Sequence, residues 1–323
     1  MKKEMGIGIL FLVVCIVVSI LNPRFLSVVN MQNMAERIGN YGIFSIGIGM
    51  IIITGGIDLS VGSIFALTGV LLAMMLREWN WPWQLAAAAA ILVPMALGAF
   101  HSLLIIRTKL LPFIVTLCGL LFYRGIARYI AEDTNKGFGD AEAGGFVLLK
   151  WMENGKVAGV PMPFVLLVII AVIMWFLLHR SVYGRYLFAV GKNEEAARYS
   201  GINSNLVIAS AYVVSGFLVG ISGILFAFYT PSITPSSHGN FYELWGIAAA
   251  VLGGCSLRGG EGSIIGIVIG AALLQVLQNL VNLLGIPSSL NYSVIGAVIL
   301  IGVLADQYYR QKRIRKLERE SRL

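Results

Sequence analysis

The residues of this chain whose types and spacing could do chemistry fall into three short blocks. The first, Gly55-Gly56-Ile57-Asp58-Leu59-Ser60-Val61-Gly62-Ser63, sets a carboxylate and two hydroxyls among glycines, between two long apolar runs. Interrupted helices are tolerated at membrane depth where the backbone lines a cavity or is buried in protein. Gly55, Gly56, Asp58 and Ser60 are therefore read as part of a translocation pathway or its gate. A purely local account competes with this one: Asp58 caps a helix beginning at Leu59 by accepting from its free amides. The two accounts are compatible.

The second block, Gly191-Lys-Asn-Glu-Glu-Ala-Ala-Arg-Tyr-Ser-Gly201, reads as one complete short helix. Asn193 is its N-cap, Glu194 and Glu195 occupy the positive first turn, Ala196 and Ala197 continue it, Arg198 sits near the negative end and Gly201 terminates it. Such a helix suits docking to a cytoplasmic protein or resting on lipid headgroups, and the residues alone do not choose. The third block, Gln275, Gln278, Asn279 and Asn282, places four amides on one side of an apolar run at helical spacing. They either meet a polar solute or hold helices together, the common use of intramembrane amides. Gly216-xxx-Gly220 and Gly266-xxx-Gly270 read as packing seams by the same logic.

Other chemistries find no device here. The glycines around Arg258-Gly-Gly-Glu-Gly-Ser263 lack the GxxxxGK[ST] order of a phosphate loop, and neither HExxH nor GxSxG stands in a credible context. Cys15, Cys118 and Cys255 have neither CxxC spacing nor a nearby histidine, so no metal site or disulfide framework is expected. His101 and His179 are placed at helix ends and His238 in an outer loop, with no carboxylate or histidine clearly mid-membrane, where an ion-coupled carrier often wants one.

The elements that must position these blocks are membrane helices. Of the 323 residues 58% are hydrophobic and 12% charged, against about 25% charged in an ordinary soluble domain. Runs near 20 apolar residues suffice to span hydrocarbon. Ten are expected: Met5 to Leu21 (an uncleaved first span), Ile38 to Thr54, Leu59 to Leu76, Trp83 to Ile106, Phe113 to Ile130, Met162 to Leu178, Leu206 to Tyr229, Tyr242 to Leu257, Ser263 to Leu284 and Leu290 to Ala305. With both termini inside, Arg107, Lys109, the segment Arg180 to Arg198, Arg258 and the tail fall in the cytoplasm, in keeping with the bias of Lys and Arg to that side. The loop Glu132 to Gly159, with five acidic residues against three lysines, and the tryptophans Trp79, Trp81 and Trp83 fall outside. The net charge of +8 thus marks topology rather than nucleic-acid binding. The expected architecture is an all-α polytopic membrane protein with one transmembrane domain, residues 1–306, and a basic cytoplasmic tail, 307–323. Likeness between residues 54–63 and 252–263, with five runs on either side of about residue 160, predicts an inverted five-plus-five repeat over 1–160 and 161–306.

At these residues the chain resembles the permease subunits of bacterial ABC importers of the ribose-type simple-sugar class, relatives of the branched-chain amino acid permeases. The resemblance covers nearly the whole length. It rests on Gly-Gly-Ile-Asp-Leu-Ser-Val-Gly-Ser at 55–63, Leu-Pro-Phe-Ile-Val-Thr-Leu at 111–117 with Tyr-Arg-Gly at 123–125, Ala-Val-Gly-Lys-Asn-Glu-Glu-Ala-Ala-Arg-Tyr-Ser-Gly-Ile at 189–202 and the glycine block at 252–263. Gly-Gly-Cys-Ser at 253–256 departs mildly from the family's usual threonine.

The resemblance implies an inner-membrane, multi-pass transport subunit with no catalytic residues and no cofactor or metal of its own. ATP and Mg would be used by a partner ABC ATPase. An extracytoplasmic solute-binding protein and a second permease copy, identical or paralogous, would complete the assembly. It makes Glu194 to Ser200 the ATPase-coupling helix and a monosaccharide the cargo. A branched-chain amino acid or another small polar solute is the nearer alternative, and an ion-coupled secondary carrier the more distant one.

Overall fold

The computed structural model describes residues 2–287 and the isolated positions 290, 293, 296, 297 and 300. The tenth apolar run therefore lies almost wholly, and the basic tail entirely, outside the described residues. The other nine runs are all helical in at least part. In chain order the helices are α1 Lys2–Leu21, α2 Val28–Ile53, α3 Val61–Arg77, α4 Trp83–Thr108, α5 Pro112–Ile130, α6 Val147–Asn154, α7 Met162–His179, α8 Val182–Lys192, α9 Glu194–Tyr199, α10 Ser204–Tyr229, α11 Tyr242–Leu252 and α12 Ile264–Leu283. Sheet is confined to two antiparallel pairs of two-residue strands, β1 Lys136–Gly137 with β4 Ser232–Ile233, and β2 Lys156–Val157 with β3 Val160–Pro161. Among the described residues five helices, α4, α5, α7, α10 and α12, are long and apolar enough to cross a membrane.

Burial sorts the helices into a centre and a ring. The most apolar stretch of α10 is 78% buried and that of α7 only 22%, though both are strongly hydropathic. Since lipid is as apolar as leucine, hydrophobicity alone cannot bring helices together, and small residues at contacts do so instead. The glycines show how. A Cβ on Gly216 would stand 2.4 Å from the Pro94 carbonyl and one on Gly220 2.8 Å from Ile91 Cα, so this seam seats α10 on α4. Gly266 and Gly270 press α12 against Gly253 and Ala249 in the same way. From Phe44 to Ile53 every residue of α2 is buried, as is nearly all of α3, and these two helices with α10 make the core.

Two expectations are corrected. The run from Tyr242 to Leu257 is helical only to Leu252, 11 residues or about 16 Å of rise, which cannot cross hydrocarbon about 30 Å thick. Gly253 and Gly254, the latter at φ +93°, stop it. Likewise α3 starts at Val61 rather than Leu59. Two long helices of 26 residues, α2 and α10, are thus each followed by a non-helical connector, residues 54–60 and 230–241, and then by a shorter helix, α3 and α11.

Candidate functional site: paired connectors and a capped helix

The two connectors meet at the starts of α3 and α11. A Cβ on Gly62 would lie 2.2 Å from the Gly239 carbonyl, and one on Gly239 2.7 Å from the Gly62 carbonyl. Glycine is required on both sides because backbone touches backbone, and Gly239 also adopts φ +70°. Phe241, at φ +65°, puts a bulky residue in the same left-handed region, a strained geometry that persists only where neighbours over-determine it.

Unpaired backbone groups in such a place are costly, and side chains satisfy them. Arg124, half-buried on α5, donates from Nη1 to the carbonyls of Pro235 (3.1 Å) and His238 (2.6 Å) and from Nη2 to that of Gly62 (3.1 Å). One guanidinium therefore ties both connectors together. The Ile57 carbonyl accepts from Thr116 Oγ1 of α5 at 3.3 Å and from Tyr212 Oη of α10 at 3.2 Å. Asp58, buried, accepts from the Ser60 amide (2.8 Å) and hydroxyl (2.6 Å). Asp58 is consequently not the cap expected for a helix at Leu59; it folds the connector, and Ser60 holds the N-cap position of α3 without a side-chain bond. Glu243, in the first turn of α11, lies against the same point, since a Cβ on Gly62 would fall 2.4 Å from its Oε2.

These contacts also correct the histidine and charge readings. Asp58, Glu243, His101 and His238 are all buried, and Tyr123 Oη lies 2.9 Å from His101 Nε2 where α4 meets α5. His101 is an interhelical residue rather than an interfacial one, and His238 belongs to the packed connector rather than to a solvated loop.

At the start of the first connector a second glycine junction joins it to the capped helix. A Cβ on Gly191 would fall 1.8 Å from the Ile53 carbonyl and 2.6 Å from the Gly260 amide; one on Gly259 would fall 2.5 Å from the Gly191 carbonyl and 2.9 Å from the Gly55 amide. The Gly260 amide donates to Ile53 at 2.9 Å. The last turn of α8 thereby rests on the end of α2, on Gly55 and on the loop after α11 at once.

One residue later α9 begins, capped as expected. Asn193 Oδ1 accepts from the Ala196 amide at 2.9 Å, Glu194 pairs with Arg198, and Gly201 ends the helix at φ +83°. Ala197 faces inward, Glu195 outward, and Tyr199 stands 93% exposed at the tip. A cavity of about 380 Å³ opens beside it, lined by Gly55 and Gly56, Lys109 to Pro112, Glu194, Glu195, Arg198 and Tyr212 among others. Gly55, Gly56 and α9 are thus brought together, while Asp58 and Ser60 lie further along the connector.

The amide stripe does not act as one unit. Asn279 pairs with Asn30 of α2 through two amide bonds of 2.7 and 3.1 Å, a helix-to-helix contact; Gln275 is buried, Gln278 half-buried and Asn282 exposed. Among the described residues no three His, Cys, Asp or Glu side chains converge as metal ligands would. Arg124 and Glu243 are the site residues to which sequence reasoning gave no role, although a charge inside an otherwise apolar run is itself a signal.

Residues 30–303 match the family model described as the permease component of branched-chain amino acid transport systems. The ribose import permease of Escherichia coli K12 is 38% identical over 92% of both chains. That of Bacillus subtilis 168 is 40% identical over 94% of this chain and 93% of its own. A fructose import permease of Rhizobium meliloti is 31% identical over 90% of this chain and 81% of its own. No solved structure matches this chain.

Proposed function

Because the chain belongs to the family of permease components of branched-chain amino acid transport systems, we propose that it is the membrane-spanning subunit of an ATP-driven ABC importer that carries a monosaccharide inward by alternating access. The observation that supports this most is the glycine junction of Gly191 with Ile53, Gly55 and Gly259. Backbone packed on backbone has no compliant side chain between, so a push on α9 reaches the first connector and the loop after α11 together.

On this reading α9 is the coupling helix. Exposed Tyr199 and Glu195 enter a groove of a cytoplasmic ATPase, which binds and hydrolyses ATP with Mg. Tyrosine is among the residues that most often dominate interface energy. An extracytoplasmic binding protein delivers the solute, and a second permease copy completes the pathway. The chain crosses a bacterial inner membrane ten times with both termini inside, the eighth crossing being made by residues 230–241 and α11 together. The inverted five-plus-five repeat has support in the equal lengths of α2 and α10 and in the connector and shorter helix that follow each. A sugar is favoured over an amino acid because the relatives quoted above are named for ribose and fructose.

Co-purification tests the coupling reading. The tagged chain, co-expressed with its neighbouring genes and isolated in mild detergent, should bring an ATPase with it. Glu195→Arg and Tyr199→Ala should lose that partner while keeping the wild-type melting temperature. An ion-coupled carrier would instead work without an ATPase and tolerate both changes.

A further inference from the structure

The first two helices are joined by a short segment, residues 22–27, which contains the single turn Pro23–Leu26, yet they do not pack along one another. Instead α1 lies along α12, with Val18 and Val276 in one buried cluster, and α2 stands off. The wedge between them is an open groove of about 510 Å³. Its walls run from Phe11 to Ile20 on α1 and from Met31 to Ile38 on α2, and Leu26 of the turn closes one end. Leu12, Ile16 and Ile20 are exposed, so the groove opens sideways to the bilayer.

The groove asks a ligand for apolar contact alone. Ser19 brings the one hydroxyl among the described lining residues, and its Oγ donates to the Cys15 carbonyl at 2.7 Å. From Phe11 to Ile20 the rise is about 14 Å, the depth of one leaflet in a hydrocarbon core about 30 Å thick. Over that length the volume corresponds to a cross-section of about 36 Å², less than half the roughly 80 Å² of a helix about 10 Å across. Another helix, of this chain or of a neighbour, is too thick for the space. A hydrocarbon chain is not, and Met31 and Met34 offer it side chains that adapt to irregular shapes.

The closed end carries a cation. Arg24 is exposed on the turn, and its guanidinium makes no hydrogen bond or ion pair among the described residues. On the same side of the membrane Arg128 pairs with Asp133, Lys136 with Glu78 and Lys156 with Gln32. The turn itself is fixed, since Asn22 Nδ2 donates to the Leu283 carbonyl at the end of α12 and Asn22 Oδ1 accepts from the Arg24 amide, both at 3.0 Å. A guanidinium held where hydrocarbon meets water matches a phosphate with two parallel bonds.

We infer that the wedge between α1 and α2 is a phospholipid site, in which one acyl chain lies along the groove and Arg24 takes the phosphate at its end. The bound chain supplies the packing that α2 does not give α1. On the orientation given above, the lipid belongs to the outer leaflet.

The test uses the full-length chain, extracted in mild detergent and stripped of bulk lipid, with palmitoyl-oleoyl phosphatidylglycerol added back and binding read by native mass spectrometry. The wild type should bind one lipid per chain ahead of any others, and that lipid should raise its melting temperature where sodium phosphate does not. Arg24→Glu, at an exposed position, should weaken the first binding at least about tenfold, the loss expected for a charge-assisted bond. Ala35→Trp places an indole in the groove and should abolish that binding. Equal first binding in wild type and Arg24→Glu overturns the site, even if Ala35→Trp fails to fold. Protection by sodium phosphate as strong as that by the lipid also overturns it, since the groove would then have no part in binding.

Discussion

Glu153, on the short helix α6 within the acidic loop, offers a sharp test of how this fold handles charge. Its side chain is 1% exposed and held by Asn40, and its second carboxyl oxygen has no partner. Burial pushes its pKa up from 4.5 to about 8, against the opposing pull of the Asn40 bond and with a further push from the charge of Glu36. Below pH 4.5 the carboxyl is protonated in both folded and unfolded chains and costs nothing. Between 4.5 and 8 the unfolded chain releases the proton while the folded chain keeps it, so stability falls by about 1.4 kcal/mol per pH unit. Above 8 both forms are ionised and this loss stops growing. At pH 7 the cost is on the order of 3 kcal/mol.

Glu153→Gln keeps the shape and the bond from Asn40 but removes the proton equilibrium. The variant should therefore melt several degrees higher than wild type at pH 7 to 8 and converge with it near pH 5, measured as thermal unfolding of the detergent-solubilised chain across pH 5 to 9. Parallel curves for the two proteins over that range would refute the buried neutral carboxyl.

Two further substitutions probe the junctions. Arg124→Met leaves the carbonyls of Gly62, Pro235 and His238 without their donor, each worth about 1–3 kcal/mol when orphaned in a buried place; the melting temperature should drop sharply, with Arg124→Lys in between because an ammonium cannot reproduce the fork. Equal melting of Arg124→Met and wild type would show that the connectors hold without the clamp. Gly191→Ala forces a methyl against the Ile53 carbonyl and should lower both stability and uptake, whereas Gly125→Ala, with nothing within 4 Å of its new Cβ, should stabilise α5 by about 0.5–1 kcal/mol.

Much of this was legible in the sequence. The apolar runs located nine helices because lipid-facing helices must be apolar over their length, and α9 was readable to its caps because Asn193, Glu194, Arg198 and Gly201 act within one local turn. What escaped depends on partners distant in the chain. The eighth run has the composition of a span, yet its first turn must accommodate Gly62 and its glycines must pack on α12, so only 11 residues are helical. Asp58 looked like a cap because capping is the local default; its real task, folding a connector held by Thr116 and Tyr212 through the adjacent Ile57, requires α5 and α10. The amide stripe read as uniform because helical spacing says which residues share a face but not what that face meets.

The Arg124 clamp also sets a schedule. One of its acceptors, Gly62, is 62 residues behind it in the chain, but His238 is 114 residues ahead. At about 5–20 residues per second of synthesis, roughly 6–23 s separate the appearance of the guanidinium from that of its last partner. For that interval α5 carries a cation whose bonds are unmade, α2 lacks α10 and α12 along its flank, and the first half of the molecule cannot finish its own core. Biogenesis of this chain is therefore a waiting problem: α3, α4 and α5 can pack on one another as they emerge, but α2 and the Arg124 clamp stay open until the second half arrives to close them.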